Sequence, residues 1–300
     1  MWGLGPLAFI AAGLYIAYDT FNANRPATRT EYVYWFSKSG FCYEGKGAKI
    51  SLIPASRFSS TPPFLAKLAT DKDHIVVLGD QNSGLDLFPG SSGDVALTGG
   101  ETTGSQWDVT ALVGNRVLLR PHKVEASIDT TPPAPTWASL SDGALTQADG
   151  VASACRDRSG STFILTTSGI TYGDGTQARF PVPKNVTSFA ADRQSKLAAV
   201  VADGTAYALQ GGNLVPLKTP WEFFGSLNQV NAVAIAGHDR QIWVSVNHPG
   251  NDGAMVLAFS GDGVYQGKVI TVPEHMEPAF GAVGDSCPPS AVLDQIKTGG

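Results

Sequence analysis

The chain has 300 residues, and its 21 basic and 26 acidic side chains give a net charge of −5. No long run of Lys and Arg occurs, so the composition argues against a nucleic-acid-binding protein. With 34 Gly, 19 Pro and only 16% charged residues, the chain is typical of many short strands joined by tight turns and not of a helical protein.

Residues 1–20 predict an uncleaved transmembrane helix. The run Trp2 to Tyr18, "WGLGPLAFIAAGLYIAY", has no charge over 17 residues, which is the lower limit for a bilayer of ~30 Å at ~1.5 Å per residue. A cleaved secretory signal and a helix buried against a partner are alternatives, but a basic start and a small-residue cleavage site are missing. The expected anchor residues are Trp2, Leu7, Phe9, Ile10, Leu14, Ile16 and Tyr18.

The domain boundaries follow from this anchor. Residues 21–31 are expected to be a linker, residues 32–287 a β domain and residues 288–300 a C-terminal tail. Arg25, Arg29 and Lys38 favour a cytoplasmic domain by the positive-inside rule, whereas the Ser, Thr, Gly and Cys content favours export. We expect a single-pass protein of the inner or plasma membrane, with its β domain on the periplasmic or extracellular side.

A repeated unit runs through the β domain. Each copy has an alternating apolar strand, a short polar turn and a second, more hydrophobic strand. The turns are separated by 35 to 46 residues, close to the ~40 to 50 residues of a four-stranded propeller blade. The turns are centred on Asp71, Gly114, Asp157, Asp192, His238 and, more weakly, Gly284.

The sixth unit is incomplete at the C-terminus, where only one strand near residues 279–283 is evident. Three strands near the N-terminus, "EYVYWFS", "GFCYEG" and "AKISLIP", would complete it and close a six-bladed β-propeller without open sheet edges. Seven blades are the alternative if residues 121–150 contribute strands of their own. That Pro-rich stretch could also be a long surface connection.

Several reactive-looking pairs are predicted to be turns. His238-Asp239 falls where sister units carry Asp71-Lys72, Asp157-Arg158 and Asp192-Arg193, so we expect a hairpin at one rim of the ring. Gly and Asp tolerate the positive φ that tight hairpins need. The Asp-Gly pairs expected to form such hairpins are Asp174-Gly175, Asp203-Gly204 and Asp262-Gly263.

Motifs for known catalytic centres are missing from the sequence. It contains no HxH, HxxH or Cys-x-x-Cys pair for zinc, no Gly-x-Ser-x-Gly elbow and no phosphate-binding loop. The most site-like run, "NHPGND" at residues 247–252, could hold a hard cation or a sugar, but its residues are also ordinary turn formers. We therefore predict no catalytic residue, cofactor or metal, and expect His238, Asp239 and His248 as rim contacts to a partner.

The cysteines permit one cross-link. Cys42 and Cys287 would share the closing blade, and we hypothesise a disulfide between them if the domain is exported. Cys155 falls in a predicted strand and is expected to be a small buried hydrophobe.

The blade rhythm and the segment Phe259–Gly267, "FSGDGVYQG", resemble the β-propeller superfold and, distantly, its NHL and gluconolactonase-like six-bladed groups. A lactonase-like activity implied by that resemblance would need carboxylates and Asn residues from separate blades to meet at the channel. Repeated Trp-Asp endings, sialidase boxes and the Trp-docking repeats of quinoprotein propellers are not found in the sequence.

From these observations we expect a non-enzymatic scaffold subunit of a larger membrane complex, which could be respiratory, photosynthetic, secretory or involved in envelope assembly. Its partners would be the bilayer and membrane protein subunits, because Gly3, Gly5 and Gly13 allow another helix to approach closely. The alternatives are a ligand- or receptor-binding propeller, including a viral attachment protein, and a metal-dependent lactonase or hydrolase.

Overall fold

A computed structural model describes residue 21 and residues 25–37, 40–44, 51–54, 68–70, 75–78, 84–88, 95–98, 107–121, 135–218, 230–247, 254–272 and 280–282. The anchor predicted at residues 1–20 and the tail predicted at residues 288–300 lie outside these ranges. Within them, no helix reaches the length and hydropathy that a bilayer crossing requires.

The described residues form short β-strands, as the composition predicts. In chain order the strands are β1 Val33–Ser37, β2 Gly40–Glu44, β3 Ser51–Pro54, β4 Leu68–Thr70, β5 Ile75–Leu78, β6 Gly84–Phe88, β7 Val95–Ala96, β8 Trp107–Val113, β9 Arg116–Pro121, β10 Thr136–Ser139, β11 Leu145–Gln147, β12 Val151–Arg156, β13 Thr162–Thr166, β14 Gly169–Tyr172, β15 Gln177–Arg179, β16 Val186–Asp192, β17 Leu197–Ala202, β18 Thr205–Gln210, β19 Asn213–Pro216, β20 Val230–Ala236, β21 Gln241–Asn247, β22 Ala254–Ser260, β23 Tyr265–Val272 and β24 Phe280–Ala282.

These strands pair into four-stranded antiparallel sheets, and in five of the sheets neighbouring strands follow the order of the chain. Sheets 1 to 5 are β4–β7, β8–β11, β12–β15, β16–β19 and β20–β23, and sheet 6 has the order β24-β1-β2-β3. The first strands of successive sheets lie side by side, β4 with β8, β8 with β12, and so on to β20 with β24. This all-β arrangement of radially packed sheets is that of a β-propeller.

Sheet 6 joins the two ends of the β domain. Trp35 of β1 lies opposite Phe280 of β24 and opposite Cys42 of β2, which is the pairing that the sequence predicts. Gly281 lies opposite Tyr34, and a Cβ at Gly281 would be 2.1 Å from the Tyr34 hydroxyl. The missing side chain therefore leaves room for the Tyr34 ring beside the closing strand.

The stretch at residues 121–150 corrects one expectation. Its strands β10 and β11 extend sheet 2, because β10 pairs with β9 and β11 pairs with β10. Trp137 of β10 is buried, and the Arg116 guanidinium lies 5.0 Å from the centre of its ring. For these residues, the interpretation as a long surface connection is wrong, since a large aromatic residue fastens them to the sheet.

The hydrophobic core lies between neighbouring sheets. Between sheets 4 and 5, for example, Val201 and Ala208 pack with Ile242, Leu257 and Phe259. Because both faces of the middle strands are covered, their sequences are continuous apolar runs and not alternating ones.

The Asp-Gly turns take the predicted form. Gly175 and Gly263 both have φ of 83°, and the pair Asp203-Gly204 has φ of 48° and 72°. These left-handed conformations are easiest for Gly and tolerated by Asp. The prediction that these carboxylates belong to hairpin turns is confirmed.

The first strands of four sheets share an irregularity that the sequence analysis did not detect. Each has a β-bulge one residue after a valine, which bends a strand and increases its twist. The valines that precede the bulges are Val109, Val151, Val186 and Val230.

Candidate functional site at the inner hairpins

The inner hairpins connect the first and second strands of sheets 3, 4 and 5, at residues 157–161, 193–196 and 237–240. His238 and Asp239 lie in the third of these, so the prediction that they form a turn is confirmed. Arg240, the last residue of that turn, has φ of 54°.

The pairing register corrects the expected equivalence of the three hairpins. Arg156, Asp192 and Ala236 each pair with the first residue of the next strand. Asp192 therefore ends its strand, Asp157 begins its turn, and Asp239 is the third residue of its turn. Because the three carboxylates occupy different turn positions, they have different partners.

Residues 25–31, the N-terminal segment, lie across one end of sheet 5. The segment begins beside the outer strand β23, where the Lys268 amide donates to Arg25 O at 2.7 Å and the Ala27 amide donates to Lys268 O at 2.8 Å. It then passes β21, where the Gln241 side chain donates to Thr28 O at 2.9 Å. The sequence analysis assigned these residues to a linker, but they are bound to sheet 5 along their length.

Asp239 holds the inner end of the N-terminal segment. Its Oδ2 accepts hydrogen bonds from the amides of Thr30 at 2.7 Å and Glu31 at 3.2 Å. Its Oδ1 accepts a bond of 2.5 Å from the Thr30 hydroxyl. Charged acceptors make stronger hydrogen bonds than neutral ones, so this carboxylate is the principal clamp on the segment.

Glu31 of the N-terminal segment brings a second carboxylate, in addition to that of Asp239, to the inner hairpins. Its side chain is 1% exposed and accepts a hydrogen bond from the His238 amide. Arg158 from the hairpin of sheet 3 lies between two carboxylates, with Nη1 at 3.9 Å from Glu31 and Nε at 3.5 Å from Asp192. One guanidinium therefore links sheets 3 and 4 to the N-terminal segment.

The close approach of these hairpins depends on Gly237. A Cβ at this position would lie 2.8 Å from Asp192 Oδ2 and 3.1 Å from Arg158 Cζ. Asp192 Oδ2 also accepts a hydrogen bond of 2.7 Å from the Ser195 amide. The hairpin of sheet 5 thus packs against the ion pair with its main chain.

Burial dominates the electrostatics of Glu31. Its removal from water raises the pKa of the carboxyl above the usual range, and the His238 amide and Arg158 offset only part of that effect. The nearby Asp239 carboxylate raises the pKa further. The Glu31 carboxyl therefore takes up a proton more readily when the protein is folded.

Asp157 stabilises its own hairpin. It accepts hydrogen bonds from the Ser159 amide at 2.9 Å, the Ser159 hydroxyl at 2.6 Å and the Ser161 amide at 2.8 Å. Its other oxygen accepts from the Arg193 amide of sheet 4 at 3.2 Å. This carboxylate shapes one turn and ties it to the next sheet.

The other predicted positions have different outcomes. Cys42 is buried on β2, but Cys287 and His248 lie outside the described residues, as do the anchor residues, so those predictions stand untested. Cys155 packs against the core of sheets 3 and 4, and burial raises the pKa of its thiol. Its side chain is half-buried, so the prediction of a small buried hydrophobe is confirmed in part.

Glu31, Arg158 and Asp192 are the residues that sequence reasoning missed. The sequence predicts Arg158 and Asp192 as turn residues. It does not show that Arg158 pairs with Asp192 of the next sheet and with Glu31 of the N-terminal segment. In the ranges that the structure describes, no three His, Cys, Asp or Glu side chains are grouped to hold a metal ion. The carboxylates of this site bind main-chain amides and one guanidinium, and these contacts hold the N-terminal segment and the hairpins together.

No family model matches the chain, and no curated protein matches it. Among solved structures it is similar to a quinonprotein alcohol dehydrogenase-like protein from Bacteroides thetaiotaomicron, at 12% identity and a TM-score of 0.42 over 88% of this chain and 68% of that chain. It is also similar to apo AztD from Citrobacter koseri, at 11% identity and a TM-score of 0.37 over 87% and 90%. It is similar as well to the WD40 repeats of RRP9, at 10% identity and a TM-score of 0.41 over 84% of this chain and 81% of that chain. The β-propeller assignment itself depends on the strand pairing described above.

Proposed function

We propose that the chain is a membrane-anchored, six-bladed β-propeller that serves as a non-enzymatic scaffold subunit of a larger membrane protein complex. Residues 1–20 would be the anchor, and the propeller would face the periplasm or the cell exterior. The partners would be membrane protein subunits that contact the anchor and the rim of the propeller.

The fixed N-terminal segment is the observation that carries this proposal. Five residues after the proposed anchor, Arg25 is already bound to β23, and by Glu31 the chain has reached the inner hairpins. Such a path would give the propeller a fixed position relative to its anchor, which suits a scaffold. The carboxylates of Glu31, Asp192 and Asp239 all act in this attachment.

The six-bladed ring is supported by sheet 6. Its inner strand β24 comes from the C-terminal part of the domain, and its other strands come from the N-terminal part. Such a joint would close the ring of sheets and leave no open edge between the first and last units. A closed ring offers a rigid rim for several partners at once.

The test is detergent extraction followed by native mass spectrometry of the full chain from its own membranes. We expect the chain in a stoichiometric assembly with other membrane subunits. A solitary monomer would overturn the scaffold proposal, and a bound divalent ion with lactone hydrolysis would favour the hydrolase. As a control, Leu14→Arg places a charge in the proposed anchor, which is unfavourable in a bilayer, and should release the chain from the membrane fraction.

The proposed side of the membrane has its own test. Cys42 lies two strands from Phe280, about 10 Å at the usual strand spacing. Cys287 follows Phe280 by seven residues, so the chain can reach Cys42. Peptide mapping without reductant should find the Cys42–Cys287 disulfide in an exported domain. Two free thiols would argue against it.

A further inference from the structure

Three large apolar side chains of the described residues are exposed, and two of them, Val215 and Val264, lie near the joint between sheets 4 and 5. The three are Phe21 at 76%, Val264 at 55% and Val215 at 38% exposure. Val264 ends the hairpin between β22 and β23 of sheet 5, and Val215 lies on β19, the outer strand of sheet 4. Scattered exposed hydrophobic residues are ordinary, but a cluster marks an interaction surface.

Sheets 4 and 5 touch at this edge. A Cβ at Gly263 would lie 3.2 Å from Leu217 Cδ2, so the hairpin of Val264 rests against the residue that follows β19. Leu217 is two positions after Val215, and alternate residues of an extended chain point to the same side. Val215 and Val264 therefore belong to one apolar edge.

The hairpin does not need a valine at position 264. Sheet 3 has the same turn, with Thr176 in the equivalent place: the Gly263 amide donates to Ser260 O, as the Gly175 amide donates to Tyr172 O. Thr176 is exposed, and threonine has nearly the shape of valine. The fold accepts a hydroxyl at this turn position, so the turn does not require the exposed isopropyl group of Val264.

The N-terminal segment begins at the same edge. The Arg25 side chain donates to Tyr265 O at 2.9 Å, and its guanidinium lies 5.8 Å from the centre of the Tyr265 ring. Tyr265 is the residue after Val264. Residue 20 ends the proposed anchor, and five extended residues span at most about 18 Å, so this edge cannot lie far from the membrane surface.

The charges at the edge suit an anionic surface. Arg25, which contacts Tyr265, and Lys218, which follows Leu217 in the sequence, are both exposed. The Asp262 carboxylate is exposed as well. Basic and apolar side chains together are the usual composition of a surface that rests on anionic lipid headgroups.

We propose that this edge, formed by Val215, Val264, Arg25 and Lys218, contacts the lipid bilayer beside the anchor. The inference rests on the proposed function, because it requires residues 1–20 to be in the membrane. It adds an orientation: the joint between sheets 4 and 5 faces the bilayer, and the opposite side of the ring faces partners.

The experiment uses the full chain reconstituted into vesicles of phosphatidylcholine and phosphatidylglycerol. A fluorescent amino acid sensitive to its surroundings is placed at position 264 in one variant and at position 176 in a matched control. Vesicles with doxyl-labelled lipids should remove most of the fluorescence at 264 and leave that at 176 unchanged. In the unmodified chain, hydrogen exchange of residues 261–265 should be slower in vesicles than in detergent, and Val264→Thr should lessen the difference.

The outcomes separate the two proposals. If the chain floats with vesicles after an alkaline wash but positions 264 and 176 respond equally, the edge proposal is wrong and the anchor stands. Shielding of position 264 from aqueous quenchers without quenching by lipid would show a protein on this edge and would also overturn the proposal. If the chain does not float, the anchor fails, and this inference fails with it.

Discussion

Replacing Asp239 by alanine tests whether the N-terminal segment is held by its contacts or merely lies on sheet 5. The substitution removes the acceptor of the hydrogen bonds from the Thr30 amide, the Thr30 hydroxyl and the Glu31 amide. It leaves the hairpin backbone intact, because none of these bonds belongs to the turn itself.

The magnitude follows from those three bonds. A hydrogen bond to a charged group contributes about 1.5–3 kcal/mol, but Thr30 is exposed, so water replaces much of what it loses. We expect Asp239→Ala to lower the free energy of unfolding by about 2–3 kcal/mol, most of it from the partly buried Glu31 amide and the loosened attachment. For a chain of this size that corresponds to a fall of about 3–5 °C in Tm.

The assay combines thermal unfolding with hydrogen exchange of residues 25–31. In Asp239→Ala the amides of Thr30 and Glu31 should lose protection. Asp174→Ala is the control, since Asp174 accepts equivalent bonds from the Thr176 amide and hydroxyl. Its other oxygen accepts from the exposed Arg193 side chain, so its bonds go to Thr176 and Arg193 and not to residues 25–31. Asp174→Ala should leave residues 25–31 unchanged. Undiminished protection of Thr30 and Glu31 in Asp239→Ala, with an unchanged Tm, would refute the clamp.

Three further predictions concern the attachment and the closing sheet. Burial raises the pKa of Glu31 above 4.5, so the folded state binds the proton more tightly than the unfolded state. The stability of the wild type relative to Glu31→Gln should therefore decline as the pH rises from 4.5 through the folded pKa. Urea unfolding at several pH values measures this difference, and an increase of the difference with pH would contradict the burial argument. Gly281→Ala should cost about 1–3 kcal/mol by overpacking against Tyr34, and less in a Tyr34→Ala background; equal costs in both backgrounds would show that the ring is not the obstacle. Gly267 has φ of 135°, and a Cβ there would lie 2.8 Å from the backbone of the N-terminal segment, whereas Gly175 has φ of 83° and no atom within 4 Å of its Cβ position. Gly267→Ala should therefore lower Tm more than Gly175→Ala. An equal effect would mean that backbone strain at positive φ, and not the contact with the segment, sets the cost.

The repeated strands and their turns could be predicted from the sequence because local chemistry determines them. The Asp203-Gly204 turn needs residues that accept positive φ, and those residues are visible in any single copy of the repeat. The pairing of β24 with β1 was also predictable, because an unfinished unit at one end matched spare strands at the other. That inference depends on the number of strands in each repeat unit and not on the residues of either strand.

The candidate site could not be predicted in the same way. Asp239 binds Thr30 from 209 positions away, and two of the three bonds end on main-chain amides, which have no sequence signature. Arg158 is recognisable as a turn residue, but nothing in "CRDRSG" shows that its guanidinium meets Glu31 of the N-terminal segment. Residues 25–31 resemble a linker because their polar composition is that of an unattached chain.

The joint in sheet 6 has a consequence for biosynthesis. Trp35 leaves the ribosome long before Phe280, its partner across 245 residues, and Glu31 must wait almost as long for His238. Contacts between such distant parts of a chain form slowly, and a nascent strand with an unpaired edge is prone to aggregate. Strands β1 to β3 therefore spend most of translation without their inner neighbour, and sheet 6 cannot be completed until residues 280–282 have been synthesised. A released chain truncated before residue 280 should have sheets 3 to 5 that resist protease while β1 is cut.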